Sequence, residues 1–277
     1  MGWRTSWTVL ILVLSRRRNN PLGDRRTSRQ TWPVGSIVWD QDIAEVYDAV
    51  YAAMFDEMVL RRMVDVLAEL AGQGPALEFA VGTGRVALPL SKRGIPVAAI
   101  ELSPHMADRL RAKPGADAVP VTIGDMTTTR VPGTFTLVYL VANTLMNVTT
   151  QDEQVSVFAN AAAHLRPGGC FVVELVVPQL RAVPRGAMGL VFTLETDHVG
   201  IETFDDLVGQ IAWSHHWMEV QGRLVRHVAP YRFVWPSELD LMARLAGLRL
   251  RSRWADWERS PFTSDSSRQV AAFEKAV

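Results

Sequence analysis

The 277-residue sequence predicts an α/β fold, a doubly wound and mostly parallel sheet that gives way to an antiparallel β segment. Three observations lead there. Between residues 76 and 176, short apolar runs alternate with stretches of helical period, as in strands joined by crossover helices. The run Ala76-Leu77-Glu78-Phe79-Ala80-Val81-Gly82-Thr83-Gly84-Arg85 reads as a buried strand, a carboxylate, a glycine turn and the start of a helix. Open α/β sheets take nucleotide-like cofactors at such a turn, beyond the carboxyl ends of their strands. After about residue 188 the alternation stops and successive strands follow, with Gln221-Gly222 as a two-residue hairpin turn.

Taken in order, Asp42 can cap a helix over residues 44–55, and residues 58–70 form a second helix that ends near Gly72 and Gly74. A strand (76–81), a helix (84–93) and a strand (96–100) come next. Ser103-Pro104 opens another helix, with proline in its first turn where its missing N–H costs nothing. Residues 119–123 and 135–141 are strands, 151–165 a helix stopped at Pro167-Gly168-Gly169, and 170–176 a strand. Residues 190–194, 200–204, 210–220 and 223–234 read as strands, 236–246 as a helix ended by Gly247, and 248–254 and 269–275 as final strands.

Composition narrows the function. The chain is 48% hydrophobic, enough for one sizeable core, and its 29 basic and 29 acidic residues balance. A neutral chain without a basic stripe is a poor nucleic-acid or anionic-membrane binder. The single cysteine, Cys170, excludes an internal disulfide framework and a multi-cysteine metal site, and no His/Cys/Asp cluster has metal-ligand spacing. A cytoplasmic enzyme is the expectation. Residues 1–38 stand apart: the apolar run 7–14, flanked by Arg4 and by Arg16-Arg17-Arg18, is too short to span a bilayer. That segment is expected to be a disordered extension, and residues 39–277 the domain.

The glycine turn admits two cofactors. Gly82-Thr83-Gly84-Arg85-Val86-Ala87 matches the dinucleotide fingerprint, with Glu101 at about the spacing of a ribose-binding acid. Against a dinucleotide, Glu78 would repel a pyrophosphate but suits a ligand carrying an ammonium group. Asp125, after the strand 119–123, can accept from an adenine amino group, with Met126 as a soft apolar face. The antiparallel tail is also unlike a dehydrogenase half.

With those motifs in place, the chain from about Asp40 onward resembles the class I S-adenosylmethionine-dependent methyltransferases, of the methyltransferase domain 25 type. The matching pieces are residues 77–85, Ile100-Glu101-Leu102-Ser103, Gly124-Asp125-Met126, Val141-Ala142-Asn143-Thr144-Leu145 and Leu165-Arg166-Pro167-Gly168-Gly169. The resemblance implies a seven-stranded Rossmann-like sheet with an antiparallel cap (residues 188–234) inserted before the last helix. It also implies a small-molecule acceptor methylated at an amine or a hydroxyl. Position by position, it implies that Gly82 and Gly84 border the methionine part of S-adenosylmethionine, with Glu78, Ala80 and Arg85 beside them. Glu101 would bind the ribose hydroxyls, Leu102 and Asp125 with Met126 the adenine. Tyr47 and Tyr51 would lid the cofactor, and Val141 and Asn143 would lie at its methionine end. Ala80 departs from the pattern, since the family usually has glycine there. From the residues themselves, Glu78 serves equally as an acceptor for loop amides, Asp125 as a turn residue, the two tyrosines as helix-face packing, and Asn143 as a holder of its loop.

Methyl transfer from a sulfonium needs mainly in-line positioning, and a base only when the acceptor must lose a proton. Candidate bases are His215 and His216, which strand alternation places on opposite faces. Trp213, Trp217 and Tyr231 are candidate acceptor-pocket residues. The rival readings are a nicotinamide-dependent oxidoreductase and a cofactor-binding protein without catalysis.

Overall fold

The computed structural model describes residues 41–277 except Gln221. The expectations for residues 1–38 and for Gln221 therefore lie outside the described residues. The chain forms two compact units, residues 41–178 with 234–277 and, between them in sequence, residues 179–233.

The larger unit opens with α1 (Gln41–Val50), a 3-10 turn over Ala52–Phe55, and α2 (Glu57–Ala71). Asp42, expected to cap a helix over residues 44–55, lies inside α1, which stops at Val50; α2 is capped by Asp56, whose carboxylate accepts from the Met58 and Val59 amides at 2.9 and 3.2 Å. That bond satisfies two otherwise orphaned donors and sets the start of α2. Met63, Val64, Leu67 and Ala71 form the buried stripe of α2, one face of a 3.6-residue period.

The Rossmann-like sheet then builds from β1 (Ala76–Phe79), α3 (Ala87–Lys92), β2 (Val97–Glu101), α4 (Pro104–Arg111), β3 (Val121–Ile123), β4 (Phe135–Leu140), α5 (Gln151–His164) and β5 (Leu165–Val176). After the smaller unit, α6 (Pro236–Leu245), β10 (Leu248–Trp254) and β11 (Arg268–Lys275) complete it. The strand order is β10-β11-β5-β4-β1-β2-β3, parallel except that β11 runs antiparallel to both its neighbours. This is the doubly wound sheet that the sequence predicted, with the seven strands that the family resemblance implied. The order reverses at β1 and β4, so the crevice beyond their carboxyl ends is the topological switch point where such sheets hold ligands.

Helix α5 ends at His164 and β5 begins at once, five residues earlier than expected. Arg166 precedes Pro167, which disfavours the helical region for it, so the chain turns extended there. Gly169 follows where a Cβ would lie 3.1 Å from the Phe135 carbonyl oxygen, and the β4–β5 register shifts beside it. The core is apolar and well packed, with Phe158 edge-on to Phe171 at 5.1 Å and to Phe273 at 5.7 Å. Cys170 is buried in it.

The smaller unit is an antiparallel sheet of β6 (Gly189–Leu194), β7 (His198–Asp206), β8 (Ile211–Val220) and β9 (Arg223–Arg232), in that order. Val220 pairs with Arg223, the register of a two-residue hairpin.

Candidate functional site

The parallel register places Tyr139 of β4 and Ala99 of β2 on either side of Glu78. The Tyr139 hydroxyl donates to Glu78 at 2.8 Å, and both side chains are buried. Burial pushes the Glu78 carboxyl up to about 8, against the lowering effects of the Tyr139 bond and of Arg85. Burial, reinforced by Glu78, likewise drives Tyr139 well above the usual phenol range. A carboxyl with this environment is neutral around pH 7 and holds β1 to β4 through a side-chain hydroxyl, rather than chiefly through the loop amides that the sequence suggested as its partners.

The turn after β1 is made by left-handed residues. Gly82 (φ 57°) and Gly84 (φ 83°) adopt that conformation freely, and Ala80 adopts it too, at φ 52°. The site where the family pattern has glycine is therefore one whose backbone favours glycine, and an alanine there carries strain of about 1–2 kcal/mol. The two turn glycines differ in what surrounds them. A Cβ on Gly82 would meet only the Met106 methyl, at 3.5 Å, whereas one on Gly84 would lie 2.8 Å from Leu110 Cγ. Gly84 lets α4 pack against the turn, and Gly82 leaves open space.

Glu101 ends β2 and organises that space. Its two oxygens accept from the Gly82 and Ser103 amides, each at 2.8 Å, and it is 4% exposed. Burial raises its pKa, opposed by the bonds from Ser103, Gly82 and Leu102. Each carboxylate oxygen has two acceptor directions, so the backbone bonds from Gly82 and Ser103 leave acceptor capacity for hydroxyl donors. The Gly124 amide donates to the Glu101 carbonyl at 2.9 Å, which brings the turn after β3 alongside. There Asp125 accepts from the Thr127 amide at 2.7 Å, and the Met126 carbonyl accepts from Asn160 at 2.7 Å. Leu102, between Glu101 and Ser103, is half-buried.

Helix α1 is fastened to the same turn by residues that sequence reasoning did not single out. The Thr83 hydroxyl donates to Asp48 at 2.6 Å, and Lys113 donates to the Thr83 carbonyl at 2.9 Å while pairing with Asp48 at 2.5 Å. Arg85 donates to the Met54 carbonyl at 3.2 Å. These contacts carry Tyr47 and Tyr51, whose rings lie 4.8 Å apart, to the site. Burial, with Tyr51 adding, pushes Tyr47 up to about 12; Arg85 opposes, and Glu101 and Asp48 contribute further upward pressure. Both cations at the turn, Arg85 and Lys113, are thus engaged by the protein, and the side chain bonded to the Gly82 amide is the Glu101 carboxyl.

The loop after β4 completes the crevice. Ala142 and Asn143 are both left-handed, at φ 57° and 61°. Glu174 of β5 holds them, accepting from the Ala142 amide at 2.9 Å and, through its other oxygen, from the Trp257 indole N–H at 2.8 Å. The Asn143 side chain accepts from the Val176 amide at 2.7 Å, and so fixes its own loop. Val141 is buried beneath it. Glu174 and Trp257 were missed because their partners lie far away in sequence.

In the smaller unit His215 and His216 do face opposite ways. His216 shares its face with Ser214, 2.7 Å from Oγ to Nε2, and with His198, 2.9 Å from Nε2 to His216 Nδ1. Burial, then His198, His227 and His215, lower it to about 4. His215 stacks on Trp217 at 6.2 Å and contacts the Thr203 hydroxyl at 3.2 Å. The register pairs Tyr231 with Ala212 and Trp213 with Pro230, so Tyr231 lies on the His216 face while Trp213 and Trp217 lie on the other. The three candidate pocket aromatics are not brought together. Among the described residues no group of three or more His, Cys, Asp or Glu is placed to hold a metal ion, and no helix is long and apolar enough to cross a membrane.

Residues 76–169 match the family model described as a methyltransferase domain. The chain is 31% identical to the solved CcbJ methyltransferase from Streptomyces caelestis, over 85% of this chain and 96% of that one, with a TM-score of 0.72. It is 26% identical to the cypemycin N-terminal methyltransferase of a Streptomyces species, over 86% of this chain and 98% of the relative. It is 29% identical to the dTDP-4-amino-2,3,4,6-tetradeoxy-D-glucose N,N-dimethyltransferase of Saccharopolyspora spinosa, over 52% of this chain and 58% of the relative. Fold, switch-point chemistry and kinship agree, and the chain belongs to the class I S-adenosylmethionine-dependent methyltransferases, enzymes that take S-adenosylmethionine as methyl donor.

Proposed function

We propose that the protein methylates an amine nitrogen of a small molecule, holding S-adenosylmethionine in the crevice beyond β1, β2 and β4. The observation that carries the cofactor assignment is the chemistry of the Gly82 turn: its amide is bonded to the Glu101 carboxyl, and the neighbouring cations Arg85 and Lys113 are already engaged by Met54 and Asp48. A sulfonium with an ammonium group and a ribose diol, which donate, fits that acceptor, whereas a pyrophosphate does not. In this reading Glu101 binds the diol, Gly82 and Gly84 shape the approach, and Leu102, Asp125 and Met126 flank the adenine. Tyr47 and Tyr51 cover it. Glu78, Ala80 and Arg85 form the wall of the turn, and Val141 and Asn143 hold the floor after β4. The bound cofactor supplies an activated methyl whose bonding pair stays on sulfur when the new N–C bond forms. The chain's own contribution is to orient both reactants, exclude water and accept the proton that an ammonium acceptor must lose.

The amine reading is supported by the two curated relatives, whose names specify an N-terminal amine and an amino sugar. The formal neutrality of the chain fits a small acceptor rather than nucleic acid, and a free buried Cys170 accords with a cytoplasmic location. The test is to incubate the purified chain with S-adenosylmethionine and a panel of amino sugars, peptides with free N-termini, and their hydroxyl counterparts, reading products by intact mass. A gain of one or two methyl groups on amines alone supports the proposal; methylation confined to hydroxyls refutes it.

A further inference from the structure

Helix α5 grips the turn after β3 with two buried side chains one helical turn apart, Asn160 and His164. The Asn160 amide donates to two backbone carbonyls of that turn, Met126 at 2.7 Å and Thr129 at 3.0 Å. Both partners are acceptors, so the amide nitrogen is the end that meets the turn. The buried Asn160 oxygen has no donor among the described residues, a cost that an apolar side chain would avoid. What this amide supplies is its pair of donors.

His164 holds the far end of the same turn. The Val131 amide donates to its Nε2 at 3.1 Å, and its Nδ1 lies 2.9 Å from the Asn160 carbonyl oxygen. The first contact needs a lone pair on Nε2 and the second a hydrogen on Nδ1, so together they fix a neutral ring in one tautomer. Burial lowers the pKa of this ring, the bond to the Asn160 carbonyl opposes, and Arg130 adds to the lowering. Between the two anchors the turn closes on itself. The Asp125 carbonyl accepts from the Thr128 and Thr129 amides at 3.1 and 2.7 Å, and a Cβ on Gly124 would collide with the Thr129 side chain. A hold on Met126 and Thr129 is therefore also a hold on Asp125, whose carboxylate has one oxygen on the Thr127 amide.

We propose that Asn160 and His164 are positioning residues for the cofactor, holding the turn so that the Asp125 carboxylate and the Met126 side chain meet the adenine. The proposal rests on the adenine reading of Asp125 and Met126 given above. Asn160 and His164 are 1% and 2% exposed, so both act through the turn and not on the ligand. The grip at Val131 is also sensitive to acid. A proton added to His164 Nε2 would set one N–H against another, so this end loosens as the pH falls below the ordinary 6.5 and through the lowered pKa of the ring. The charged groups around the ring are Arg130 of the turn, bonded to the Asn160 carbonyl, and Lys275 of β11, bonded to the Ala162 and Leu165 carbonyls. Phe79 of β1 and Phe135 of β4 are the aromatic rings beside it.

The test titrates the full chain calorimetrically with S-adenosylhomocysteine and with S-inosylhomocysteine, in which an oxo group replaces the amino group of the base. The wild type should favour the first. Asn160→Ala should weaken the first about tenfold and the second much less, and its Thr128 and Thr129 amides should exchange hydrogen faster by NMR. His164→Gln keeps an acceptor but does not titrate. It should bind as the wild type does at about pH 7 and lack the fall in affinity that the wild type shows on the acid side of 6.5. His164→Ala should be weak throughout. Equal losses for the two ligands overturn the proposal, as does a His164→Gln variant with the wild-type pH profile; that profile decides the matter even where Asn160→Ala fails to fold. Faster amide exchange with wild-type affinity overturns it too, and Asp125→Ala then shows why. If Asp125→Ala abolishes discrimination between the bases, only the grip by α5 is refuted; if it changes nothing, the adenine assignment of Asp125 is refuted.

Discussion

Replacing Glu78 by glutamine should change stability little at about pH 5 and should stabilise the protein progressively as the pH rises. Glu78 is buried at 3% exposure, bonded to the Tyr139 hydroxyl, and pushed up to about 8 from an ordinary 4.5. Its folded-state pKa is therefore above its unfolded value. The stability tied to its proton is fully present below 4.5 and is lost as pH rises through about 8, at about 1.4 kcal/mol per unit. Glutamine does not titrate and still offers an oxygen to Tyr139. Between about pH 5 and pH 8 the variant should gain about 4 kcal/mol on the wild type. Urea unfolding of both proteins at each pH, followed by tryptophan fluorescence, gives the difference directly, and groups common to both cancel. A difference that stays constant over the whole window would mean that Glu78 is ionised throughout, held by Arg85, and the burial argument would be refuted.

Three other substitutions probe neighbouring parts of the site. Glu101→Ala should weaken S-adenosylmethionine binding by about 3 kcal/mol, roughly a hundredfold, because two charge-assisted bonds to the ligand are lost; calorimetry that shows an unchanged affinity removes the ribose assignment. Gly84→Ala should cost about 2–4 kcal/mol of stability, from a left-handed φ of 83° and a Cβ set 2.8 Å from Leu110; a wild-type urea midpoint would show that α4 yields freely. Trp257→Phe should cost about 1–3 kcal/mol by leaving a Glu174 oxygen without its indole donor. It should also lower kcat more than it raises KM for S-adenosylmethionine, since the Ala142–Asn143 loop loses its brace; equal kinetics in the two proteins would contradict that role.

What the sequence made legible was local. The run from Ala76 to Arg85 announces a strand, a turn and a helix through the chemistry of adjacent residues, and the structure has the strand and the turn there, with the helix starting at Ala87 rather than at Gly84. Asn143 and Asp125 each admit two roles in the sequence, and their hydrogen bonds to the Val176 and Thr127 amides are those of residues that hold their own turns. What could not be read was non-local. Nothing near Glu78 points to Tyr139, because the bond depends on β4 pairing beside β1, a crossover topology. The Asp48–Thr83–Lys113 contacts likewise join three elements through tertiary packing. One miss was avoidable: grouping Tyr231 with Trp213 and Trp217 followed alternation within single strands. Counting back from the two-residue turn, from Val220 opposite Arg223, sets Tyr231 opposite Ala212 and so on the other face.

Strand β11 is the last of the described strands in sequence order but lies inside the sheet, with β10 on one side and β5 on the other. During translation β5 therefore waits, with its apolar run Cys170-Phe171-Val172-Val173 bordering an unfilled hydrogen-bonding edge, until residues 268–275 have left the ribosome. The smaller unit, closed by sequential antiparallel pairings, can fold in that interval. An open edge of this composition is a template for pairing with other nascent chains. A premature stop anywhere between residues 177 and 267 would make that exposure permanent, so such products should accumulate as aggregates or chaperone clients rather than as partly active enzyme.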